Sequence, residues 1–379
     1  MKILFFFPHL SGHHKYYLEL FLSKVIDDSF FSFIAIPNHM QNSTMINGYI
    51  SKHKKNISFL LYEPISHEKN SLFYSLEQSR LLVKLCKEYS IDKIVSPSGS
   101  IAYFTYPLLS RIYGMNLPYF FLMLNDGTNS NSNKIEKFIR KYLLKIARKN
   151  SLWTIDHSSM SKSIGIAPDP IQKNNLAKPS NEIKLIFENS KDVTKLVIYG
   201  DMSGHKNKNV ATLISAVELL NSEELKVKLI IAGAGSDKFS LNSTKRDGDY
   251  VICIDKYLTD SELDYITIKS DVVCAPYINH FGPSGIVIRA LYYKKRVLVP
   301  NYKWFKYIST IIDCGIPFSE NTPENIADTI KKNLEFKAYQ QNEHNWDEFL
   351  RFNSVENYSC FWKILIKNDC VLESQRYSI

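Results

Sequence analysis

The sequence predicts an α/β protein of two tandem doubly wound, Rossmann-like domains facing one another across a cleft. Three observations predict it. Short, nearly continuous apolar runs alternate with amphipathic helical patterns through most of the chain, which suits strands buried on both faces of a parallel sheet covered by helices. The alternation comes in two series, interrupted by APDPIQKNNLAKPSNEIKLIFENSKD at 167–192, a stretch rich in Pro, Asn and Lys. Finally, 379 residues are enough for two domains of ordinary size.

In the first series KILFFF, FSFIAI, ISFLLY, DKIVSP, PYFFLML and SLWTID read as six strands, with helices near 14–25, 71–89, 101–113 and 133–149. In the second, KLVIYG, KVKLIIAG, YVICID, DVVCAPY and KRVLVP read as strands, with helices near 209–220, 261–270, 284–294 and 323–335. The tail 345–368 reads as helical. The expected division is a first domain over 1–170, a linker over 171–192, a second domain over 193–340 and a helical tail over 341–379 that packs back on the first domain.

Composition narrows the class. Apolar residues make up 45% of the chain, ample for two cores. The net charge of +9 is unevenly placed. Residues 1–180 hold 22 Lys and Arg against 12 Asp and Glu, whereas 181–379 hold 25 against 26. The two halves are therefore expected to meet different partners. The six cysteines (86, 253, 274, 314, 360 and 370) lack CxxC or zinc spacing and read as free thiols in a reducing cytosol. MKILFFFPHL reads as a buried first strand rather than an export signal, and no apolar segment approaches the ~20 residues that span a bilayer.

In open α/β sheets ligands sit beyond the carboxyl ends of the strands, so the loops there carry the candidates. SGHHKYYLELF follows the first strand. Gly12 permits close approach, and His13 and His14 open a helix, either as solvated imidazoles of a capped turn or as acceptor contacts. Adjacent helical positions face different ways, which argues against metal chelation by the pair. FFLMLNDGTN ends a strand in Asn125, Asp126 and Gly127. That is an ordinary turn sequence, or a place where Asp126 bonds a sugar hydroxyl or acts as a base.

YGDMSGHKNKNVATLISAV places Ser203, Lys206 and Lys208 between a strand and a helix, an anion site by residue type but without the spacing of a P-loop. NHFGPSGIVIRAL starts a helix at Ser284, with Gly285 and Ile286 presenting backbone amides and Arg289 four residues after Gly285 on the same face. A cation this near a helix N-terminus opposes the macrodipole. A bound diphosphate would resolve that conflict; the alternative is an exposed arginine on an ordinary capped helix. KIEKFIRKYLLKIARKN at 134–150 has an apolar stripe of Ile135, Phe138, Ile139, Tyr142 and Ile146 among seven Lys and Arg. It covers the sheet with a solvated outer face, or it is drawn to anionic lipid headgroups. Nothing resembling an RRM, KH or helix-turn-helix pattern accompanies the charge, so no nucleic acid partner is expected.

From about Lys195 to Ile330 the sequence resembles the donor-binding domain of retaining GT-B glycosyltransferases of the group 1 class. The resemblance is carried by LVIYGDMSGHKNKNVATLISAVELL, LIIAGAGSD, VICIDKYLTDSELDYITIKSDVVCAPY and FGPSGIVIRALYYKKRVLVP. It implies a sugar transferase using a nucleotide-diphosphate donor, UDP- or GDP-linked, with no further cofactor and no metal. Lys208 matches the lysine on the donor diphosphate, and Ser284, Gly285 and Ile286 match the helix-start residues beside it. Gly233, Tyr257 and Leu258 fall where the nucleobase and ribose are held. Gly12, His13, His14 and Asn125 fall on the acceptor side. The chain departs from the pattern at Asp201, where the family has arginine, and at Asn125, where it has histidine. Of the family's paired glutamates, spaced eight apart, the second is Arg289 and Phe281 lies eight residues before it.

The expected activity is transfer of a sugar to a glycan or lipid-linked saccharide acceptor in bacterial surface polysaccharide synthesis. Lys208, Arg289 and Asp126 are the candidate catalytic groups, and Ser203 joins the diphosphate contacts. The expected location is cytoplasmic, with peripheral contact to an anionic membrane face. A nucleotide-sugar epimerase on the same scaffold and a catalytically degenerate partner subunit are the rival readings.

Overall fold

The computed structural model describes residues 1–9, 13–40, 56–65, 71–99, 101–124, 138–139, 142, 145–147, 151–158, 164–170, 179–190, 192–203, 206–242, 250–280, 282–335 and 343–367. The chain divides into two compact units, 1–170 with 354–379, and 171–353.

In the first unit seven parallel strands are β1 (Lys2–Phe6), β2 (Phe31–Pro37), β3 (Ile57–Tyr62), β4 (Lys93–Ser96), β5 (Tyr119–Met123), β6 (Leu152–Thr154) and β7 (Gly165–Ile166), in the order β3-β2-β1-β4-β5-β6-β7. The run ILFFF is apolar throughout because both faces of β1 are covered. Ile3, Phe5 and Phe7 pack with Tyr17–Val25 on one side, while Leu4 and Phe6 pack with Leu82, Cys86 and Tyr106 on the other. Among the described residues before 170, the helices of this unit include α1 (His13–Leu20), continued by a π-helical turn Phe21–Val25, α2 (Ser71–Tyr89) and α3 (Tyr106–Ile112).

The second unit begins with α4 (Asn181–Glu188) and builds six parallel strands: β8 (Thr194–Tyr199), β9 (Val227–Ala232), β10 (Val251–Ile254), β11 (Val272–Cys274), β12 (Val297–Pro300) and β13 (Gly315–Phe318). Their order, β10-β9-β8-β11-β12-β13, is again doubly wound. Around them lie α5 (Val210–Ser222), α6 (Asp260–Lys269), α7 (Gly285–Tyr292), α8 (Lys303–Thr310), α9 (Pro323–Glu335) and α10 (Glu343–Phe352). The last helix, α11 (Val355–Lys367), belongs to the first unit. Its Tyr358, Phe361 and Trp362 pack on Tyr17, Trp153 and Phe21, and buried Lys93 donates to the carbonyl of Ile366 at 2.6 Å near its C-terminus, where a cation suits the helix dipole.

The doubly wound fold class expected from the alternation of apolar runs is the observed one. Several elements differ from expectation. The stretch read as linker contains α4, whose Ile183 and Phe187, four residues apart, are buried in the second unit's core. Two edge strands escaped the pattern. β7 is two residues long, and β13 is GIPF, with Pro317 exposed at the edge of the sheet where no ladder donor is needed. Helix α8 is found where no helix was expected, with Trp304, Phe305 and Ile308 buried on one side. Of the basic segment 134–150, the described residues overturn the single apolar stripe: Ile139 and Ile146 pack against the core, whereas Phe138 and Tyr142 are exposed. Ile135 lies outside the described residues. Cysteines 86, 253, 274, 314 and 360 are free.

Candidate functional site

The second sheet reverses its winding between β8 and β11, the place where a doubly wound sheet opens a crevice at its carboxyl edge. Two loops leave that edge. One runs from Gly200 after β8, through a 3-10 turn at Lys206–Lys208, into α5; the other runs from Ala275 after β11 into α7. The amide of Ile278 donates to the carbonyl of Asn207 at 2.9 Å and ties them together. A third loop joins at β9. Met202 N donates to Ala234 O at 2.8 Å, and Gly233, at φ +139°, approaches so closely that a Cβ there would lie 2.1 Å from Gly200 O.

Lys208 is the charged group at the centre of this edge. It is buried, with Nζ donating to the carbonyl of Tyr199 at 3.0 Å. Burial pulls its pKa down to about 8, partly offset by the Asp201 carboxylate. Gly200 leaves space for the ammonium, since a Cβ there would lie 2.8 Å from Nζ. Asp201, where the family resemblance led to arginine, shapes its own loop instead: its Oδ1 accepts from the amide and hydroxyl of Ser203 at 2.8 and 2.5 Å. The Ser203 hydroxyl is thus held by Asp201 within the loop.

Helix α7 begins at the same edge. Ser284 is not the side-chain cap its position suggests; its hydroxyl donates to the Tyr277 phenol at 3.2 Å. The first-turn amides of Gly285, Ile286 and Val287 have no intrahelical acceptor, as at any helix start. A Cβ on Gly285 would meet no atom within 4 Å, so open space lies over the helix start. Tyr199 holds the first turn to β8 through a 3.4 Å bond from its hydroxyl to Ile286 O.

Arg289, expected on a diphosphate, is engaged elsewhere. Its guanidinium pairs with Asp260 at 2.6 Å and with the buried Asp264, both on α6, and donates to Asp260 O at 3.1 Å. The expected conflict with the macrodipole does not arise, because α7 is eight residues long and Arg289 falls in its last turn, where a cation suits the helix dipole. Leu258, expected to line a nucleobase pocket, is a core residue, whereas Tyr257 beside it is 87% exposed. Asp255, not singled out from sequence, accepts from the amides of Gly235 and Ser236 at 2.6 and 3.1 Å and sets the loop after β9.

Sequence reasoning also missed the aromatic support beneath the α7 loop. Tyr277 stacks on the ring of His280 at 4.8 Å and on Phe305 at 5.7 Å, and Tyr302 donates to Tyr277 O at 3.1 Å. Burial lowers the His280 pKa, so the loop rests on a neutral imidazole at neutral pH. Tyr277 and His280 stand three residues apart, but Phe305, the ring both of them meet, lies on α8, where no helix was expected, so no local spacing carried the signal.

In the first unit the carboxyl end of β1 carries His9, whose ring lies 5.7 Å from that of His14; the Tyr74 hydroxyl is 3.5 Å from His9 Nε2. His13 is the first residue of α1. Gly12, Asn125 and Asp126 lie outside the described residues. Asp169, within the Pro-, Asn- and Lys-rich stretch 167–192, accepts from the Tyr17 hydroxyl at 2.6 Å within this unit. Among the described residues no three His, Cys, Asp or Glu side chains gather as a metal-holding group, and no helix is long and apolar enough to cross a membrane.

Residues 181–349 match the family described as glycosyl transferases group 1. No curated protein matches by sequence. Solved structures match over nearly the whole chain at low identity, which shows the shared fold. A glycosyltransferase from Rickettsia africae is 15% identical, with 97% of this chain and 99% of that one covered at a TM-score of 0.62. Anabaena HepE in complex with UDP is 12% identical, with 97% and 98% covered at 0.61. UDP-GlcNAc 2-epimerase from Neisseria meningitidis, bound to UDP-GlcNAc, is 13% identical, with 97% and 100% covered at 0.56.

Proposed function

We propose, from the match of residues 181–349 to the family described as glycosyl transferases group 1, that the chain moves a sugar from a nucleoside diphosphate donor to a glycan or lipid-linked saccharide. What supports the reading is that Lys208 and the α7 start lie on two loops that leave the switch point of the second sheet and are tied by the Ile278–Asn207 hydrogen bond, with open space where a Cβ of Gly285 would go. Departure of the diphosphate leaves positive charge on the anomeric carbon, and the leaving group gathers negative charge. A buried ammonium and the free backbone amides of a helix start can stabilise that charge. In this reading the phosphates lie over Gly285 and Ile286 within reach of Lys208, with no metal taking part. Arg289 holds α7 to α6 and stays off the phosphates.

Retention of anomeric configuration and a place in bacterial surface polysaccharide synthesis are part of the proposal, as is acceptor binding at the basic first unit through Gly12, His13, His14 and Asn125, with Asp126 a candidate catalytic group there. HepE was solved with UDP and with UDP-glucose, which makes UDP-linked sugars the first donors to try. The test is a thermal-shift screen against UDP-, GDP-, ADP- and CMP-sugars, followed by NMR of the anomeric proton in the product. A donor at a hundredfold excess over its Kd adds about 2.7 kcal/mol to stability. Absence of a shift with every donor would overturn the reading, and an inverted product would overturn retention. The likeness to the Neisseria epimerase keeps one rival in view: conversion of a nucleotide sugar with no acceptor present would replace transfer by epimerisation.

A further inference from the structure

Most large apolar side chains of the described residues are buried. Of the thirteen that are exposed, five fall on two neighbouring segments of the first unit: Leu108, Ile112 and Tyr113 at 40, 67 and 47%, and Phe138 and Tyr142 at 73 and 61%. Neither pair is a stray surface residue. On α3, Tyr106, Pro107 and Ser110 turn inward, while Leu108 and Ile112, four residues apart, share the outer face. Around 138–146, Ile139 and Ile146 turn to the core, while Phe138 and Tyr142, again four apart, face out. The guanidinium of Arg111 donates to Ile146 O at 2.9 Å and fastens the two segments side by side.

An apolar patch alone would suit many partners; the charge around it selects one. Among the described residues of α3 and of 138–147 the charged ones, Arg111 and Lys145, are both basic. Arg111 and Lys145 are exposed between the apolar side chains, and Lys87 lies with Nζ 4.7 Å over the Tyr113 ring. Aliphatic and aromatic groups accompanied by basic side chains fit the boundary of an anionic bilayer, where rings sit at headgroup depth and ammonium groups meet lipid phosphates. Each Lys or Arg near such a surface contributes about 1 kcal/mol.

We infer that this face, formed by Leu108, Ile112, Tyr113, Phe138 and Tyr142 with Arg111 and Lys145, docks the protein on anionic lipid. The inference deepens the lipid-linked acceptor of the proposed function and rests on it for its purpose. Its test needs no turnover, so the two can fail separately. The full chain is co-sedimented with phosphatidylcholine vesicles, with and without phosphatidylglycerol, at about 0.1 M and about 1 M salt, across which the Debye length falls from about 10 to about 3 Å.

Binding is expected on the anionic vesicles alone, and weaker at high salt. Ile112→Asp and Phe138→Asp, each at an exposed position, are expected to weaken it about tenfold or more while keeping the parent's melting temperature. Equal binding to neutral vesicles, binding to neither, or variants that bind like the parent would each overturn the inference. Self-association of the parent that both variants abolish, without vesicle binding, would assign the face to a second copy of this chain instead.

Discussion

Arg289 and Asp264 form a buried ion pair between α7 and α6, with the Asp264 side chain 1% exposed and that of Arg289 19% exposed. Asp260 closes the pair from the solvent side at 2.6 Å, itself 61% exposed. Removing one partner of a buried pair leaves the other charge without compensation, at a cost of about 3–5 kcal/mol. Because Arg289 keeps Asp260 as a partner, Asp264→Ala is expected to cost less than that full amount but more than Asp260→Ala, which should cost less than about 1 kcal/mol. Urea denaturation of the two variants checks the ranking; equal effects would contradict it. The double variant Arg289→Gln with Asp264→Asn removes both charges and is expected to fold and to bind a UDP-sugar nearly as the parent does. A tenfold loss of affinity in the folded double variant would put Arg289 back on the diphosphate.

Lys208 behaves in the opposite way. Its ammonium sits in a site where burial disfavours charge, with one carbonyl as hydrogen-bond partner. Lys208→Met removes a charge-assisted contact to the donor, commonly about 1.5–3 kcal/mol, which is roughly a tenfold to hundredfold loss of affinity. Stability is expected to stay within about 1 kcal/mol of the parent, because relief of the buried charge offsets the lost bond to Tyr199 O. Calorimetric titration with a UDP-sugar and a denaturant melt separate the two effects. A variant that binds as tightly as the parent would remove Lys208 from the site.

The contrast between these two cations shows how much was legible in the sequence. Both stand beside a helix start after a strand of the second series, and both were read as diphosphate ligands. Position along the chain placed each at the sheet's carboxyl edge, but the direction of a side chain depends on its neighbours in space. Asp260 and Asp264 are 29 and 25 residues from Arg289, beyond any local spacing rule. Ser284 was misread for the same reason: the capping preference of serine is local, whereas the phenol of Tyr277 that takes its hydroxyl is brought there by the loop. The doubly wound order was legible because it needs only the alternation of buried runs with amphipathic helices. Edge strands β7 and β13 were not, since β7 is two residues long and β13 carries Gly315 and Pro317, residues that strands disfavour.

Two glycines of the site separate folding from binding. Gly233 is held at φ +139° with a Cβ-sized space closed by Gly200 O, whereas Gly285 has an open space where a Cβ would go. Gly233→Ala combines a clash with backbone strain of about 1–3 kcal/mol and is expected to lower the melting temperature by many degrees. Gly285→Ala is expected to leave stability unchanged or slightly raised, since alanine suits a helix better than glycine. The added methyl would stand in the space assigned to the phosphates, so donor affinity should fall several-fold. If Gly285→Ala binds a UDP-sugar as the parent does, the phosphates do not lie over the α7 start.

The pH dependence of donor binding follows from Lys208. A nucleotide sugar carries a diphosphate diester that stays fully ionised around neutral pH, so the protein's own groups set any change there. The protonated lysine is the form that binds the anion. Affinity is therefore full below the free-protein pKa of about 8 and falls as pH rises through it. The sign for the free protein is the reverse. Its folded pKa lies below the ordinary 10.5, so the cost of burying the charged form is present below about pH 8 and is relieved between about 8 and 10.5. Raising the pH from about 7 to about 9.5 should weaken UDP-sugar binding while adding to this one contribution to stability. Lys208→Met should flatten the binding profile across that range. A profile that keeps its fall in the variant would trace the titration to another group and detach Lys208 from the diphosphate.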